Sequence, residues 1–414
     1  MLIQTNMKEI SGIKDQIYCE LVEKTVAGKE YSDDELYGAI EEKVFEKSRE
    51  VYIAQSDKES IVKGIYNSMR GMDVLQELID DPDITEIMVN GPDCIFVEKS
   101  GKIMRYPEKF INVHKLEDVI QQIVSKVNRV VNETSPIVDF RLTDGSRVNV
   151  VLPPVSLDGP AVTIRKFPEK PMTMEKLIGI GSLSEEAAEF LERLVKAGYN
   201  IFISGGTGSG KTTFLNALSN YIPEDERIIT IEDAAELQIR NIPNIVRLEV
   251  RNANVEGKNA VTIRDLLKSS LRMRPDRIIL GEVRDAAACE MLSVMNTGHD
   301  GSFCTGHANS SKDMLSRLET LVLSGMDIPV LAIRNQIAAA IDIVIHLGRL
   351  RDKTRKVLEI AEIVGMDGEM IKLETLFEFI EKGEDSDGKV IGKLCKTEKK
   401  LIHTEKLQRA GIDY

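Results

Sequence analysis

Residues 199–221 read YNIFISGGTGSGKTTFLNALSNY, and this stretch decides the fold of the second half of the chain. The apolar run Tyr199–Ser204 is typical of a buried strand, and Thr213–Tyr221 has the composition of a helix. Between them, residues 205–212 fit the pattern G-x-x-x-x-G-K-[ST]. A strand, a glycine-rich loop and a helix in this order predict a phosphate-binding loop, called the P-loop below.

The residue types in the P-loop suit a nucleotide. Glycines let backbone N–H groups approach phosphates, and the helix N-terminus adds partial positive charge. We expect Lys211 to contact the β- and γ-phosphates and Thr212 to offer its hydroxyl to Mg²⁺. The alternative is a glycine-rich turn with an exposed lysine, which the flanking strand and helix disfavour. The pattern therefore predicts ATP and Mg²⁺ as cofactors, with ATP bound by Gly205, Gly206, Thr207, Gly208, Ser209, Gly210, Lys211, Thr212 and Thr213.

Hydrolysis of ATP also needs carboxylates at the ends of neighbouring strands. Arg277–Gly281 reads as an apolar strand that leads into Glu282, and Arg227–Ile231 as another that leads into Glu232. A glutamate in such a place can polarise the attacking water or hold Mg²⁺ through water. The alternative for each is a solvated acid at a strand end. The metal group is predicted to comprise Thr212, Glu232, Glu236 and Glu282.

Two of the five histidines lie in one glycine-rich segment, residues 296–309. His299 and His307 are candidates for sensing the γ-phosphate at a strand end. Their spacing fits no zinc motif such as H-E-x-x-H. Packing histidines are the alternative.

The chain before the P-loop divides into two predicted regions. Residues 1–70 are predicted to be helical, with capping-box spacing at Ser32 with Glu35 and at Ser56 with Glu59. Residues 72–168 are predicted to be an α+β domain, with strands, a helix over 116–131 and a hairpin at Asp144-Gly145. Two prolines in 167–172 indicate a linker.

Residues 169–414 are predicted to be the third region. Strands that alternate with helices predict a parallel sheet covered by helices on both faces. The basic run 349–356, RLRDKTRK, is predicted to be a solvated turn between strands rather than a nucleic-acid patch.

The composition argues for an acidic protein that acts at a membrane only through partners. The formal net charge is −13, which disfavours general affinity for nucleic acid. The five cysteines form no C-x-x-C pair, which favours reduced thiols in a cytosolic protein. The first residues hold no apolar segment of a signal peptide. We therefore expect a cytoplasmic location, peripheral at the cell membrane.

These elements, in this order, resemble the type II/IV secretion ATPase superfamily, and most of all its CpaF-type branch, the motor ATPases of Flp (tight-adherence) pili. The resemblance covers roughly residues 72–414. It is carried by PDITEIMVNGP (82–92), SPIVDFRLTDGSRVNV (135–150), GGTGSGKTTFL (205–215), TIEDAAEL (230–237), LRMRPDRIILGEVR (271–284), MNTGHDGS (295–302) and LQRAGI (407–412).

The resemblance implies a role for each matching residue. Residues 205–212 are similar to the family's Walker A loop, and Glu282 to its Walker B glutamate. Glu232, Asp233 and Glu236 fall on its Asp box, and His299 and His307 on its His box. Three arginines match positions that in such enzymes approach nucleotide phosphates across an interdomain cleft, with surface ion pairing as the alternative: Arg141, Arg147 and Arg165.

The implied architecture is α/β. A RecA-like P-loop NTPase motor domain is preceded by an α+β N-terminal domain and a short helical N-terminal region. A homo-hexamer would act on a polytopic inner-membrane platform protein, and through it on pilin, with no direct nucleic-acid contact. The alternatives are a conjugative or DNA-transfer ATPase of the same superfamily, a slow nucleotide-dependent switch or scaffold, and a small-molecule P-loop kinase.

The sequence departs from the family pattern in places. Asp285 stands where glycine is expected, Gly306 where a larger residue is usual, and the turn after Arg349 lacks Asp-Gly. None of these changes removes a catalytic group. The cysteine spacing excludes the zinc-binding domain found in many type II secretion ATPases.

Overall fold

The structure is a computed structural model that describes residues 2–26, 31–99, 101–127, 129–167, 172–251 and 258–413. Contacts divide the chain into two compact units, with the boundary between residues 169 and 170. The predicted linker over 167–172 lies mostly outside the described residues. Among the described residues, no helix combines the length and apolar character that crossing a membrane requires.

The first unit begins with helices and continues into an antiparallel sheet with the order β3-β2-β1-β6-β5-β4. Its helices are α1 (Leu2–Val26), α2 (Asp33–Ser48), α3 (Gln55–Arg70), α4 (Val74–Asp80) and α5 (Val113–Lys126). Its strands are β1 (Ile84–Asn90), β2 (Ile95–Lys99), β3 (Lys102–Arg105), β4 (Ile137–Arg141), β5 (Arg147–Val151) and β6 (Ala161–Arg165). The helices α1–α3 share one apolar core, and α4 and α5 share another with the sheet.

Some of the helix caps, helix bounds and turns predicted for this unit are confirmed, and others are wrong. The capping box of Ser32 and Glu35 is confirmed. The one predicted at Ser56 is wrong, because α3 begins at Gln55 after Ala54, so Ser56 lies inside the helix. The predicted helix over 116–131 is shifted: α5 starts after the cap Asn112, whose side chain accepts the N–H of Lys115, and ends at Lys126. The hairpin at Asp144-Gly145 is confirmed by the pairing of β4 with β5.

The second unit is built on one sheet with the order β15-β14-β13-β12-β7-β11-β10-β8-β9. Its strands are β7 (Ile201–Gly205), β8 (Ile228–Glu232), β9 (Ile245–Glu249), β10 (Arg277–Leu280), β11 (Phe303–Gly306), β12 (Ile343–Arg349), β13 (Arg355–Asp367), β14 (Met370–Glu384) and β15 (Val390–Lys396). Its helices are α6 (Met174–Gly179), α7 (Glu185–Lys196), α8 (Lys211–Ser219), α9 (Ile263–Ser270), α10 (Ala287–Asn296), α11 (Ser311–Leu323), α12 (Val330–Ala340) and α13 (Glu405–Arg409).

The parallel part of this sheet runs from β12 to β9 and is covered on both faces, as predicted. Side chains of β7 alternate between two apolar cores: Ile201 and Ile203 enter one, and Phe202 enters the other. The antiparallel extension formed by β13, β14 and β15 was not predicted. Since the parallel strands end at one edge, the loops that follow them define a single site.

Candidate active site

The P-loop follows the buried central strand β7 and leads into α8. Gly205 has φ +157°, and a Cβ there would stand 2.5 Å from the carbonyl oxygen of Leu347 on β12. Gly210 caps α8 with φ +92°, in the left-handed region that favours glycine. Side chains at these two positions would distort the loop. The glycines therefore give the backbone N–H groups of the loop access to an anion.

Lys211 is the first residue of α8 and is folded back into the loop. Its Nζ donates to the carbonyl oxygens of Gly205 and Gly206, both at 3.1 Å, and to Nδ1 of His307 at 3.3 Å. Burial lowers its pKa, although the charge of Glu282 opposes the shift. A buried cation held only by carbonyls and an imidazole is under-compensated, which favours a phosphate as its partner.

Glu282 follows β10 and lies between two cationic or donor groups. Its Oε2 accepts from Nη2 of Arg284 at 2.8 Å, and its Oε1 lies 3.1 Å from Nε2 of His307. Oε1 is buried and makes no hydrogen bond in the described part of the chain. Burial alone would raise the pKa of Glu282, but Arg284, His307 and Lys211 outweigh it and hold that pKa below its usual value. The carboxylate is therefore ionised, and one of its oxygens has no hydrogen-bond donor among the described residues.

His307, directly after β11, bridges the lysine and the glutamate. Lys211 has only donors, so Nδ1 of His307 accepts and Nε2 carries the proton that faces Glu282. Burial and the nearby charge of Lys211 lower the pKa of His307. A neutral imidazole thus lies between Lys211 and Glu282.

Glu232 ends β8 and is buried, with 3% of its surface exposed. Its carboxylate accepts the backbone N–H groups of Glu236, at 2.7 Å, and Leu237, at 3.1 Å. These bonds fold the loop that carries the Asp box. The neighbouring Asp233 lies 3.6 Å from Nη1 of Arg284, which connects this loop to Glu282.

The residues of the site fit ATP with a Mg²⁺ ion that has few protein ligands. Among the described residues, no three His, Cys, Asp or Glu side chains converge as an all-protein metal site would require. Mg²⁺ in nucleotide sites commonly keeps waters and takes few protein ligands. Thr212, in the first turn of α8, fits that arrangement, and the glycine cradle fits the phosphates.

The predicted role of His299 is not supported by its position. His299 lies in the turn before β11, where Ser302 donates to its carbonyl oxygen, whereas the P-loop and His307 follow the carboxyl ends of β7 and β11. Because these two strands are parallel and in register, His299 lies at the opposite edge of the sheet. It cannot reach a phosphate in the P-loop of this chain.

Arg141, Arg147 and Arg165 form a row across the first unit's sheet. Arg141 pairs with Arg147 in the β4–β5 register, and Arg147 pairs with Arg165 in the β5–β6 register. Like charges directly opposite each other are unfavourable unless anions offset them. Their predicted approach to nucleotide phosphates remains a prediction.

Sequence reasoning missed several side chains at this edge. Arg284 joins Glu282 to Asp233, and the buried His346 on β12 lies with Nδ1 2.8 Å from the hydroxyl of Ser204. The basic run 349–356 is a turn between β12 and β13, as predicted, but Arg355 contacts the P-loop. The register of β12 against β7 brings His346 to the loop, and the pairing of β13 with β12 brings Arg355 there.

The chain belongs to the type II/IV secretion system protein family, whose sequence model matches residues 68–393. It is 34% identical over 311 residues to a Mycobacterium tuberculosis protein named for conjugal transfer, covering 73% of this chain and 88% of that protein. It is also 34% identical over 303 residues to the type IV secretion system protein VirB11 of Brucella suis, covering 67% of this chain and 84% of that protein. The solved structure of the Legionella pneumophila ATPase DotB superposes with a TM-score of 0.51 at 22% identity, covering 71% of this chain and 80% of that one.

These comparisons confirm the predicted superfamily and the RecA-like α/β fold. The likeness to DotB shows the fold alone, because the identity is low.

Proposed function

We propose that this chain is a Mg²⁺-dependent ATPase that drives a secretion or pilus machine. One observation carries the proposal: a continuous chain of contacts at the carboxyl edge of the sheet. It joins Lys211, His307, Glu282, Arg284 and Asp233, and so connects four motifs that are distant in sequence. Ion pairs that only stabilise a fold need no glycine-rich loop beside them. ATP hydrolysis requires such a loop together with charged side chains next to it.

Each residue has a distinct task in the proposed reaction. The P-loop backbone binds the phosphates, and Lys211 exchanges its carbonyl contacts for the β- and γ-phosphates. Mg²⁺, when bound by Thr212 and the phosphates, would neutralise part of their charge. Glu282 orients the attacking water through Oε1 and takes its proton. Arg284 keeps Glu282 ionised, and Glu232 fixes the Asp-box loop.

The cellular role is proposed from the relatives. VirB11 of Brucella suis is named as a type IV secretion system protein, and the Mycobacterium tuberculosis relative is named for conjugal transfer. We assign this chain to a homo-hexameric motor, cytoplasmic and peripheral at the membrane, that acts on a polytopic inner-membrane platform. The CpaF-like strings of the first unit favour Flp pilus assembly, with pilin as the indirect cargo and no direct nucleic-acid contact.

A second candidate is a conjugative or DNA-transfer ATPase. The name of the Mycobacterium tuberculosis relative and the similarity to VirB11 favour it. Neighbouring genes for a prepilin and a prepilin peptidase would favour the pilus. A slow nucleotide-dependent switch is the third candidate, and turnover measurements separate it from both motors.

Phosphate release by the purified chain with Mg²⁺ and ATP tests the proposal. Lys211→Ala should lower turnover by at least about a hundredfold, because a cationic contact to the transferred phosphate is lost. Lys382→Ala, at an exposed position of β14, is the control and should match the wild type. Lys211→Ala with wild-type turnover would disprove the P-loop assignment, and a wild type that binds ATP but releases no phosphate would favour the switch.

A further inference from the structure

The turn between β12 and β13 lies directly beside the tip of the P-loop. Nε of Arg355 donates to the carbonyl oxygen of Gly208 at 2.9 Å. A Cβ at Gly210 would stand 3.4 Å from Cδ of Arg355, so its aliphatic stem lies along the loop as well. Nη1 of Arg349 lies 3.9 Å from where a Cβ of Gly208 would stand. Two guanidinium groups therefore flank the loop residues 208–210.

The strand register explains this placement. β12 is parallel to β7, with Leu347 opposite Gly205, so Arg349 lies beyond the same strand ends as the P-loop. β13 returns antiparallel, with Arg355 opposite Arg349. The two arginines are thus adjacent across the hairpin at the edge where the nucleotide binds.

The arginines in and beside the turn differ in whether a carboxylate pairs with them. Arg351 lies between the carboxylates of Glu381 and Glu384, which neutralise it. In the described part of the chain, the side chain of Arg349 has no hydrogen bond or ion pair, and Arg355 has only its bond to Gly208. Both are exposed, and an arginine is charged at any physiological pH. Two uncompensated cations, adjacent across a hairpin and beside an anion cradle, favour a phosphate ligand.

We propose that Arg349 and Arg355 belong to the nucleotide site. Arg355 is a positioning residue: a peptide is planar and trans, so holding the Gly208 carbonyl also fixes the direction of the Ser209 N–H. Arg349 supplies a further positive charge to the polyphosphate chain. This inference rests on the proposed function and extends it to residues outside the Walker motifs.

Calorimetric titration with the non-hydrolysable analogue AMPPNP and Mg²⁺ tests this inference. Arg349→Gln and Arg355→Gln should each weaken binding by about tenfold, the size expected for one charge-assisted hydrogen bond. Arg351→Gln, from the same turn but facing Glu381 and Glu384, is the matched control and should bind as the wild type does. Arg349→Lys keeps the charge and should restore most of the affinity.

A second titration with AMP separates phosphate binding from a merely structural effect. Arg349→Gln should weaken the binding of AMPPNP more than the binding of AMP, whereas a distorted loop would weaken the binding of both alike. Equal affinities for AMPPNP in Arg349→Gln, Arg355→Gln and Arg351→Gln would overturn the inference while leaving the proposed function intact. A wild type that fails to bind AMPPNP would overturn both.

Discussion

At the scale of single residues, the central feature is Lys211, whose present hydrogen bonds are expected to be replaced by contacts to phosphate. Lys211 is bonded to two carbonyls of its own loop and to a neutral imidazole, none of which offsets its charge fully. When ATP binds, the lysine would release His307, which remains beside Glu282. We propose that His307 thereby reports whether a γ-phosphate occupies the loop.

His346 is a second histidine of the site whose environment is set by burial. Its ring is bonded to Ser204, directly before the P-loop, and only 7% of the residue is exposed. Burial lowers its pKa below the ordinary value of 6.5, with Glu359 opposing the shift. The neutral ring thus ties β12 to β7 where the loop begins.

The stability of the second unit should therefore depend on pH through His346. The ring of His346 takes up a proton more readily in the unfolded chain than in the folded chain. The contribution of the neutral ring to the free energy of unfolding is therefore complete above pH 6.5. It is lost as the pH falls through the lower folded pKa. His346→Gln does not titrate, so its urea midpoint should fall less on acidification than that of the wild type. Midpoints that fall in parallel would contradict this account.

The sequence predicted the chemistry of individual positions better than their location. Lys211 and Glu282 were predicted because each follows a recognisable strand, and the structure places them in one contact chain with His307. His299 shares a glycine-rich segment with His307, but the intervening strand β11 carries the two histidines to opposite edges. Spacing along the chain cannot reveal this without the strand bounds.

At the scale of elements, the antiparallel extension was missed although its turn signals are present. Asp367-Gly368 joins β13 to β14, and Asp387-Gly388 joins β14 to β15. Such dipeptides between strands are strong hairpin signals. Their strands carry many charged residues and only a few buried ones, so no clean alternation marks them. The extension matters to the site because its first strand brings Arg355 to the P-loop.

At the scale of the whole molecule, the proposed hexamer is expected to depend on nucleotide. Arg141, Arg147 and Arg165 lie opposite one another on adjacent strands of the first unit's sheet. The family resemblance implies that these positions approach nucleotide phosphates. We therefore propose that bound nucleotide favours assembly of the hexamer.

Light scattering at micromolar protein concentration tests this dependence. With AMPPNP and Mg²⁺ the wild type should reach the mass of a hexamer, and without nucleotide it should be smaller. Arg147→Gln should form less of the hexamer, because the resemblance implies that this cation contacts nucleotide phosphates. A monomeric mass both with and without nucleotide would count against the proposed ring.

The central claim is that Glu282 acts in the chemical step while the P-loop binds the nucleotide. Glu232 provides the contrast, because Glu232→Gln loses one acceptor for the Glu236 and Leu237 N–H groups. That variant should hydrolyse ATP more slowly and also bind Mg²⁺-ATP less tightly.

The most direct measurement is nucleotide titration beside steady-state turnover for Glu282→Gln. This change keeps the shape of the side chain and removes its charge. The variant should bind ATP about as tightly as the wild type and hydrolyse it at least about a hundredfold more slowly, the size expected for lost general-base assistance. If Glu282→Gln hydrolyses ATP at the wild-type rate, the proposed mechanism is wrong.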